Sequence, residues 1–147
     1  MSTIYPEKIS IIAFKVIKAN LQASETYIAK PQKVLGFDLE MGQNTAFNFE
    51  QRNVRIRLFV KIEGMNEENE HVGTSGDFGF EFHIHVENLE DFIIVQDEKQ
   101  MVNSLLGGTL FGIVFSTTRG IIMEKTASSA LGTVILPVID PKTLLEK

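Results

Sequence analysis

Apolar and polar residues alternate along three runs in the first part of the chain. From Leu35 to Phe49 the odd positions are mostly apolar, and from Val54 to Glu63 the even positions are mostly apolar. The alternation returns from Phe78 to Val86, again with apolar even positions. A period of two predicts strands with one face on a core and one face in water. With a polar loop predicted over 64–76, the runs indicate an antiparallel meander.

Two more segments complete the predicted architecture. Residues Ile9 to Leu21 carry β-branched side chains on both faces and are predicted to form another strand. Beyond Asp97, apolar residues recur at helical spacing, which predicts one long helix over about 99–127 with Asp97 as its N-cap. The expected fold class is therefore α+β, with an antiparallel sheet packed on one long helix.

The C-terminal part is predicted to be extended and then helical. Leu131 to Ile139 is apolar and suits an extended segment, and Asp140-Pro141 is a typical N-cap followed by proline. A short C-terminal helix is therefore predicted from Lys142 to Lys147. No repeat or linker divides the chain, so a single domain over residues 1–147 is expected.

The predicted long helix is unusually rich in glycine, which costs about 0.8–1 kcal/mol per residue relative to alanine in a helix interior. Small residues recur at every fourth position of this helix: Ser104, Gly108, Gly112, Ser116 and Gly120. Such a ridge allows a second helix to approach closely. We therefore predict an oligomer interface along this small-residue ridge, and the alternative is that the fold itself accommodates the glycines.

The same helix has a competing interpretation as a membrane span. No charged residue occurs from Gln100 to Thr118, and long apolar stretches of this kind are typical of transmembrane helices. Polar side chains interrupt the stretch, Arg119 ends it, and no basic cluster flanks it. No membrane span is expected. The N-terminus also lacks the pattern of a signal peptide, which predicts a cytoplasmic protein.

Composition excludes several kinds of chemistry. The chain has no cysteine, so disulfides, thiolate zinc sites and cysteine nucleophiles are excluded. The net charge is −5, and the few clustered cations, Arg55, Arg57 and Lys61, fit a solvated sheet face better than a nucleic-acid site. No nucleotide-binding or hydrolase motif is present. The chain is therefore predicted to be neither an enzyme nor a nucleic-acid-binding protein.

One strand carries residues that are able to bind metal. Glu81, His83, His85 and Glu87 share one face, and two neighbouring imidazoles with a carboxylate are a possible zinc or iron site. A third ligand from an adjacent strand, Asp38 or Glu40, would be needed. The alternative is that these are ordinary polar residues of a wet sheet face. We favour that alternative, so no metal and no cofactor are predicted.

The C-terminal third contains Leu105-Leu106-Gly107-Gly108, then Phe115, Arg119 and Ile122 in a helical Phe-x-x-x-Arg-x-x-Ile pattern, and the pair Pro137-Val138. In these positions it resembles the protein-export chaperone family SecB. The order of predicted elements also fits, so the resemblance covers roughly residues 35–147. It implies a SecB-like ATP-independent chaperone that binds unfolded or pre-secretory polypeptides.

The resemblance also implies partners. The SecB family assembles as a dimer of dimers, with sheets joined across subunits and helices between dimers, which predicts a homo-oligomer here. In that family an acidic sheet face contacts the export ATPase SecA, whereas the corresponding face here is mixed, which leaves SecA open as a partner. An alternative is an assembly subunit dedicated to one protein partner, for example an antitoxin.

Clients of the SecB family bind in grooves lined by aromatic and aliphatic residues. The candidate client-binding residues are Phe47, Phe49, Phe59 and Phe92. Phe59 falls on the polar face of its strand, and Phe92 begins the apolar segment Phe92-Ile93-Ile94-Val95, where partial exposure is expected. Exposed apolar patches are typical of binding sites.

Overall fold

Residues 3–140, which the computed structural model describes, form six strands and two α-helices. The strands are β1 (Ile9–Ala23), β2 (Gly36–Asn48), β3 (Asn53–Met65), β4 (His71–Val86), β5 (Ile93–Gln96) and β6 (Lys99–Val102). The helices are α1 (Glu25–Ala29) and α2 (Ser104–Thr126). Short 3-10 turns occur at Pro6–Lys8 and Leu89–Phe92.

The main sheet has four antiparallel strands in the order β1-β4-β3-β2. The predicted meander is confirmed for β2, β3 and β4. The sequence left the pairing partner of the first strand open, and the structure places β1 beside β4 in the same chain. This arrangement has the strand order of a Greek key. Strands β5 and β6 form a separate two-stranded hairpin.

The core lies between the sheet and α2, as the α+β prediction requires. The even positions of β3 from Val54 to Ile62 and of β4 from Phe78 to Val86 are almost fully buried. Helix α2 covers them with one stripe of side chains, which consists of Leu106, Leu110, Phe111, Val114, Phe115 and Ile122. Alternation in the strands and helical spacing in α2 thus bury complementary faces.

The predicted loop over 64–76 is wrong, because most of it belongs to strands. Strand β3 continues to Met65, and β4 resumes at His71. The turn between them is held by Asn66, whose side-chain oxygen accepts hydrogen bonds from the backbone N–H groups of Glu68 at 2.9 Å and Glu70 at 3.1 Å. Asx turns of this kind make a short reversal possible in a polar sequence.

The predicted start of the long helix is also wrong. Asp97 and Glu98 both have left-handed backbone angles, with φ of 52° and 64°, and they form the turn of the β5–β6 hairpin. Two successive positive φ values are typical of a tight hairpin turn. Helix α2 begins at Ser104, and its N-cap is Asn103, whose side chain accepts a hydrogen bond from the N–H of Leu106 at 3.1 Å.

The segment after α2 returns along the core without forming a strand. Leu131, Val134 and Leu136 are buried, and the N–H of Val134 donates to Thr126 Oγ1 at 2.8 Å. This hydrogen bond ties the returning segment to the last turn of the helix. The predicted C-terminal helix over 142–147 lies outside the described residues.

Candidate functional site

An apolar groove lies where the start of α2, the β5–β6 hairpin and the outer strand β2 meet. Its volume is about 540 Å³. Apolar side chains dominate the lining, and they include Phe47, Ile56, Ile94, Met101, Leu110 and Phe111. The polar lining residues, such as Thr45, Gln100 and Asn103, are uncharged. The groove is therefore suited to burying apolar groups rather than to binding ions.

Each wall of the groove comes from a different element. Phe47 lies opposite Val54 in the β2–β3 ladder, on the core side of the sheet, yet its side chain is 39% exposed. The exposure arises because α2 lies over β3 and β4 rather than over β2. Leu110 and Phe111 of α2 are almost completely buried and form the floor. The result is a preformed opening at one edge of the core.

The hairpin wall is attached firmly at its base. The backbone N–H of Asn103 donates to the carbonyl of Phe92 at 2.9 Å, which joins the start of α2 to the 3-10 turn before β5. Ile94 and Met101 are directly opposite each other in the hairpin, and both line the groove. The next residue, Val95, is more exposed and does not line it. The hairpin thus forms one wall of the groove, and Val95 stays outside that wall.

The four predicted client-binding residues do not come together. Phe47 lines the groove. Phe49 stacks on the Phe47 ring, with ring centroids 5.5 Å apart and planes within 7°. Phe59 lies on the opposite face of the sheet, over Gly79 and beside Lys18, whose Nζ is 5.8 Å from the ring centroid. It therefore belongs to a different surface.

The expected exposure of Phe92 is wrong, since only 1% of the residue is accessible. The 3-10 turn Leu89–Phe92 directs its ring into the core. Sequence reasoning also missed the groove residues of the hairpin, Ile94 and Met101. Two short strands, β5 and β6, flank the turn at Asp97-Glu98. They were not predicted, because the residues from 99 onward were assigned to the long helix on the basis of helical spacing.

The small-residue ridge lies on the side of α2 away from the core. Ser104, Ser116 and Gly120 are exposed, and Gly108 and Gly112 are partly exposed. Space is open around Gly120, where an added Cβ would meet no atom within 4 Å. By length and composition alone α2 is also apolar enough to cross a membrane. Its buried stripe packs on the sheet.

A second apolar surface runs along β1. Its large exposed side chains are Ile11, Ile12, Phe14, Val16, Ile17 and Leu21. Helix α2 leaves this end of the sheet uncovered, and register shifts at 11–13 and 16–18 insert Ile12 and Ile17 as extra residues. Within residues 3–140, the other edge of β1 has no strand partner. A long apolar edge strand is a surface on which another chain can pair.

The polar face of the sheet is organised around Glu81. One carboxylate oxygen is 2.7 Å from Arg57 Nε, and the other is 2.8 Å from His83 Nε2 and 4.0 Å from Lys15 Nζ. The hydrogen bonds from His83 and Arg57 lower the pKa of the Glu81 carboxyl from 4.5 to about 2. Glu81 is thus held ionised by its hydrogen bonds with Arg57 on β3 and His83 on β4.

The proposed metal site at His83 and His85 does not acquire its third ligand. His83 is bound to Glu81, and His85 Nδ1 is 2.9 Å from Asn53 Oδ1. Asp38 and Glu40 lie near the other end of β2, because the residue aligned with His83 across the sheet is Ala46. Eight residues of strand separate Ala46 from Asp38, which is about 26 Å. The structure therefore favours the alternative interpretation, in which Glu81, His83, His85 and Glu87 are ordinary polar residues of a solvent-facing sheet surface.

The Glu81 network predicts a loss of stability in acid. A carboxyl whose pKa is lower in the folded state stabilises the fold above its unfolded pKa, and that contribution disappears as the pH falls from about 4.5 to about 2. We expect Glu81→Gln to be destabilised at pH 7 and to lose less additional stability in this window than the wild type. Urea unfolding at pH 7, 4 and 2.5 measures the free energy of unfolding of the wild type and the variant. A Glu87→Gln variant, changed at an exposed position, is the control. Parallel pH profiles for wild type and Glu81→Gln would contradict the assignment.

Comparison with solved structures shows the fold. A Mycobacterium tuberculosis SecB-like chaperone, in complex with a ChAD peptide from an antitoxin, matches with a TM-score of 0.60 and 14% sequence identity, over 90% of this chain and 91% of that one. A protein of unknown function from Streptococcus agalactiae matches with a TM-score of 0.46 and 9% identity, over 88% of this chain and 97% of that one. No protein-family model matches the chain, and no curated protein does so significantly. The fold of this protein is SecB-like.

Proposed function

We propose that this protein is a SecB-like, ATP-independent chaperone that holds an unfolded polypeptide segment in the apolar groove. The observation that carries the proposal is the uncharged, apolar lining of that groove beside the outer strand β2. Burial of client side chains needs no nucleotide and no reacting group, which fits a non-enzymatic role without a cofactor. The SecB-like fold, and a solved neighbour that binds a peptide, support the proposal.

The groove is adapted to a client in extended form. Strand β2 pairs only with β3 among the described residues, so its other edge is available for backbone hydrogen bonds with an added strand. Side chains of such a strand alternate between faces, and every second one would enter the groove. A volume of about 540 Å³ is typical of pockets that hold a few side chains. A client segment with more apolar side chains than the groove can hold therefore requires contacts outside the groove.

A light-scattering assay tests the proposal. A slow-folding, chemically unfolded client is diluted with and without this protein, in the absence of nucleotide. Suppression of aggregation at a near-stoichiometric ratio is the expected result. Failure to suppress aggregation of several unrelated clients would contradict a general holdase. Tight binding of one polypeptide in that case would favour the second candidate, an assembly subunit dedicated to a single partner such as an antitoxin.

We also propose that the chain is a homo-oligomer. Two surfaces favour association: the apolar edge of β1, and the small-residue ridge of α2 from Ser104 to Gly120. They lie on different parts of the molecule, so both can be occupied at once. Paired β1 edges would join two sheets, and packed ridges would join two such dimers, as in the SecB family. The cytoplasm is the proposed location.

Charges placed on the β1 edge should dissociate the sheet-joined dimer. In Ile12→Lys, Ile17→Lys each chain would present cations where apolar groups now meet, and like charges across a two-fold interface repel. Light scattering coupled to size-exclusion chromatography should show the mass halved relative to the wild type. Ile28→Lys, at another exposed isoleucine on α1, should leave the mass unchanged. An unaltered mass in the double variant would exclude this edge as the interface.

SecA is the least supported partner in this proposal. Its contact surface in the SecB family is acidic, whereas the outer sheet face here combines Glu81 with Arg57, Lys15 and His83 in close contact. Internal pairing of these charges leaves no uniform field for a basic partner. Release of pre-secretory clients to SecA is therefore not the route we favour.

A further inference from the structure

Three potential metal ligands converge at the opposite end of the outer sheet face from Glu81. Asp38 of β2 lies directly opposite Glu63 of β3. His71, the first residue of β4, pairs with Met65, two residues beyond Glu63, across a register shift. The three side chains thus come from three adjacent strands, and β-sheet hydrogen bonds fix the backbone positions of all three. The groove and this cluster share no residue.

The geometry of the cluster is compact. His71 Nε2 is 3.0 Å from Asp38 Oδ2, and His71 Nδ1 is 2.7 Å from Glu63 Oε2. One ligand atom from each residue lies within 4.8 Å of the other two. All three side chains are about half exposed. A surface hollow of about 310 Å³, lined partly by Asp38 and Glu63, adjoins the cluster and leaves room for an ion to enter with bound water.

The two carboxylates contact different nitrogens of the His71 ring, so binding of one ion by all three side chains requires a side-chain rearrangement. Zinc binds nitrogen and oxygen ligands at about 2.0–2.2 Å, so neighbouring ligands around it lie roughly 3–3.5 Å apart. Asp38 already contacts Nε2 of the ring, so Glu63, which contacts Nδ1, has to rotate about its side-chain bonds to bring an oxygen to the Nε2 side.

The donor set selects a class of ion. One imidazole and two carboxylates suit Zn²⁺ and the neighbouring first-row ions Co²⁺ and Ni²⁺, whereas Mg²⁺ and Ca²⁺ prefer oxygen ligands alone. We propose that Asp38, Glu63 and His71 bind one such transition-metal ion, with water completing its coordination. The ion would link the ends of β2, β3 and β4 and stabilise the folded state by binding it in preference to the unfolded chain.

The composition of the chain makes this proposal sharply testable. The protein has three histidines and no cysteine, so each imidazole can be removed in turn. Isothermal titration of the 147-residue chain with ZnCl₂, repeated with NiSO₄, should give one ion per chain. His71→Ala should abolish that binding, and Asp38→Asn, which is nearly isosteric, should weaken it at least about tenfold. His83→Ala, His85→Ala is the matched control and should bind as the wild type does.

A thermal readout separates binding from folding defects. Zinc should raise the Tm of the wild type and of the His83→Ala, His85→Ala control, and EDTA should reverse the rise. His71→Ala should show the circular dichroism of the wild type but no zinc-dependent rise in Tm, and Asp38→Asn should show a smaller rise than the wild type at the same zinc concentration. The proposal is overturned if the wild type binds no ion. It is also overturned if His71→Ala retains binding, or if the His83→Ala, His85→Ala control loses it.

Discussion

Phe47→Asp should weaken the binding of an unfolded peptide to the groove by about 10- to 100-fold, which corresponds to about 1.4–2.8 kcal/mol. Burying a phenylalanine side chain is worth about 1.5–3 kcal/mol, and this contribution is lost in the variant. The introduced carboxylate would also lose water when the groove is filled, at a further cost. Fluorescence anisotropy of a labelled unfolded peptide measures the change. Because Phe47 is 39% exposed in the free protein, the fold should tolerate the substitution.

The hairpin offers a matched pair of variants for the same experiment. Ile94 and Val95 are adjacent, apolar and exposed, at 44% and 71% respectively. Only Ile94 lines the groove. Ile94→Asp should weaken peptide binding, whereas Val95→Asp should leave it near the wild-type value. Equal effects of the two variants would mean that the groove is not the binding surface, even if the chaperone activity itself is present.

Phe82→Ala should destabilise the fold by about 3–5 kcal/mol, a large part of the roughly 5–15 kcal/mol that stabilises a typical domain. Phe82 is 1% exposed and lies on the inner strand β4, facing α2. Its ring also contacts Phe14 edge to face, with centroids 5.1 Å apart. Removing the ring leaves a cavity. The surrounding backbone cannot close it, because β4 is hydrogen-bonded to a strand on each side. Urea unfolding followed by circular dichroism measures the loss.

Two comparison variants show whether burial is the cause. Phe82→Leu keeps most of the buried volume and should cost less than Phe82→Ala. Phe14→Ala removes the other ring of the contact, but Phe14 is itself 41% exposed, so less buried apolar area is lost. A cost for Phe14→Ala equal to that of Phe82→Ala would indicate that β1 is buried in the assembly studied.

Period-two alternation is the reason that most of the sheet was predictable. In β3 and β4 each even position faces the helix, so the sequence displays the core face directly. The position of β1 was not readable in the same way. Its two register shifts break the alternation, and its apolar residues Ile11, Phe14 and Val16 stay exposed although they lie opposite core residues of β4. Pairing between distant strands also leaves no local signal in a single sequence.

The candidate groove was harder to predict than the fold. Phe47 was identified from its aromatic character, but its partners Ile94 and Met101 are on a hairpin whose turn is Asp97-Glu98. Asp97 is a common first residue of such a turn, but Glu98 is not the glycine that usually follows it, so the segment was assigned to the helix. Phe92 illustrates the converse problem. An apolar residue in a short connecting segment is equally consistent with a buried anchor and with an exposed contact.

The pairing of β1 with β4 has a consequence during protein synthesis. Strand β1 is made first, but its partner residues follow roughly 50 to 80 positions later. At a translation rate of about 5–20 residues per second, the nascent β1 waits roughly 3–15 s for β4. During that interval Ile11, Phe14 and Val16 have neither a strand partner nor a neighbouring core. A protein proposed to protect unfolded chains thus passes, on the ribosome, through the same exposed state as its clients.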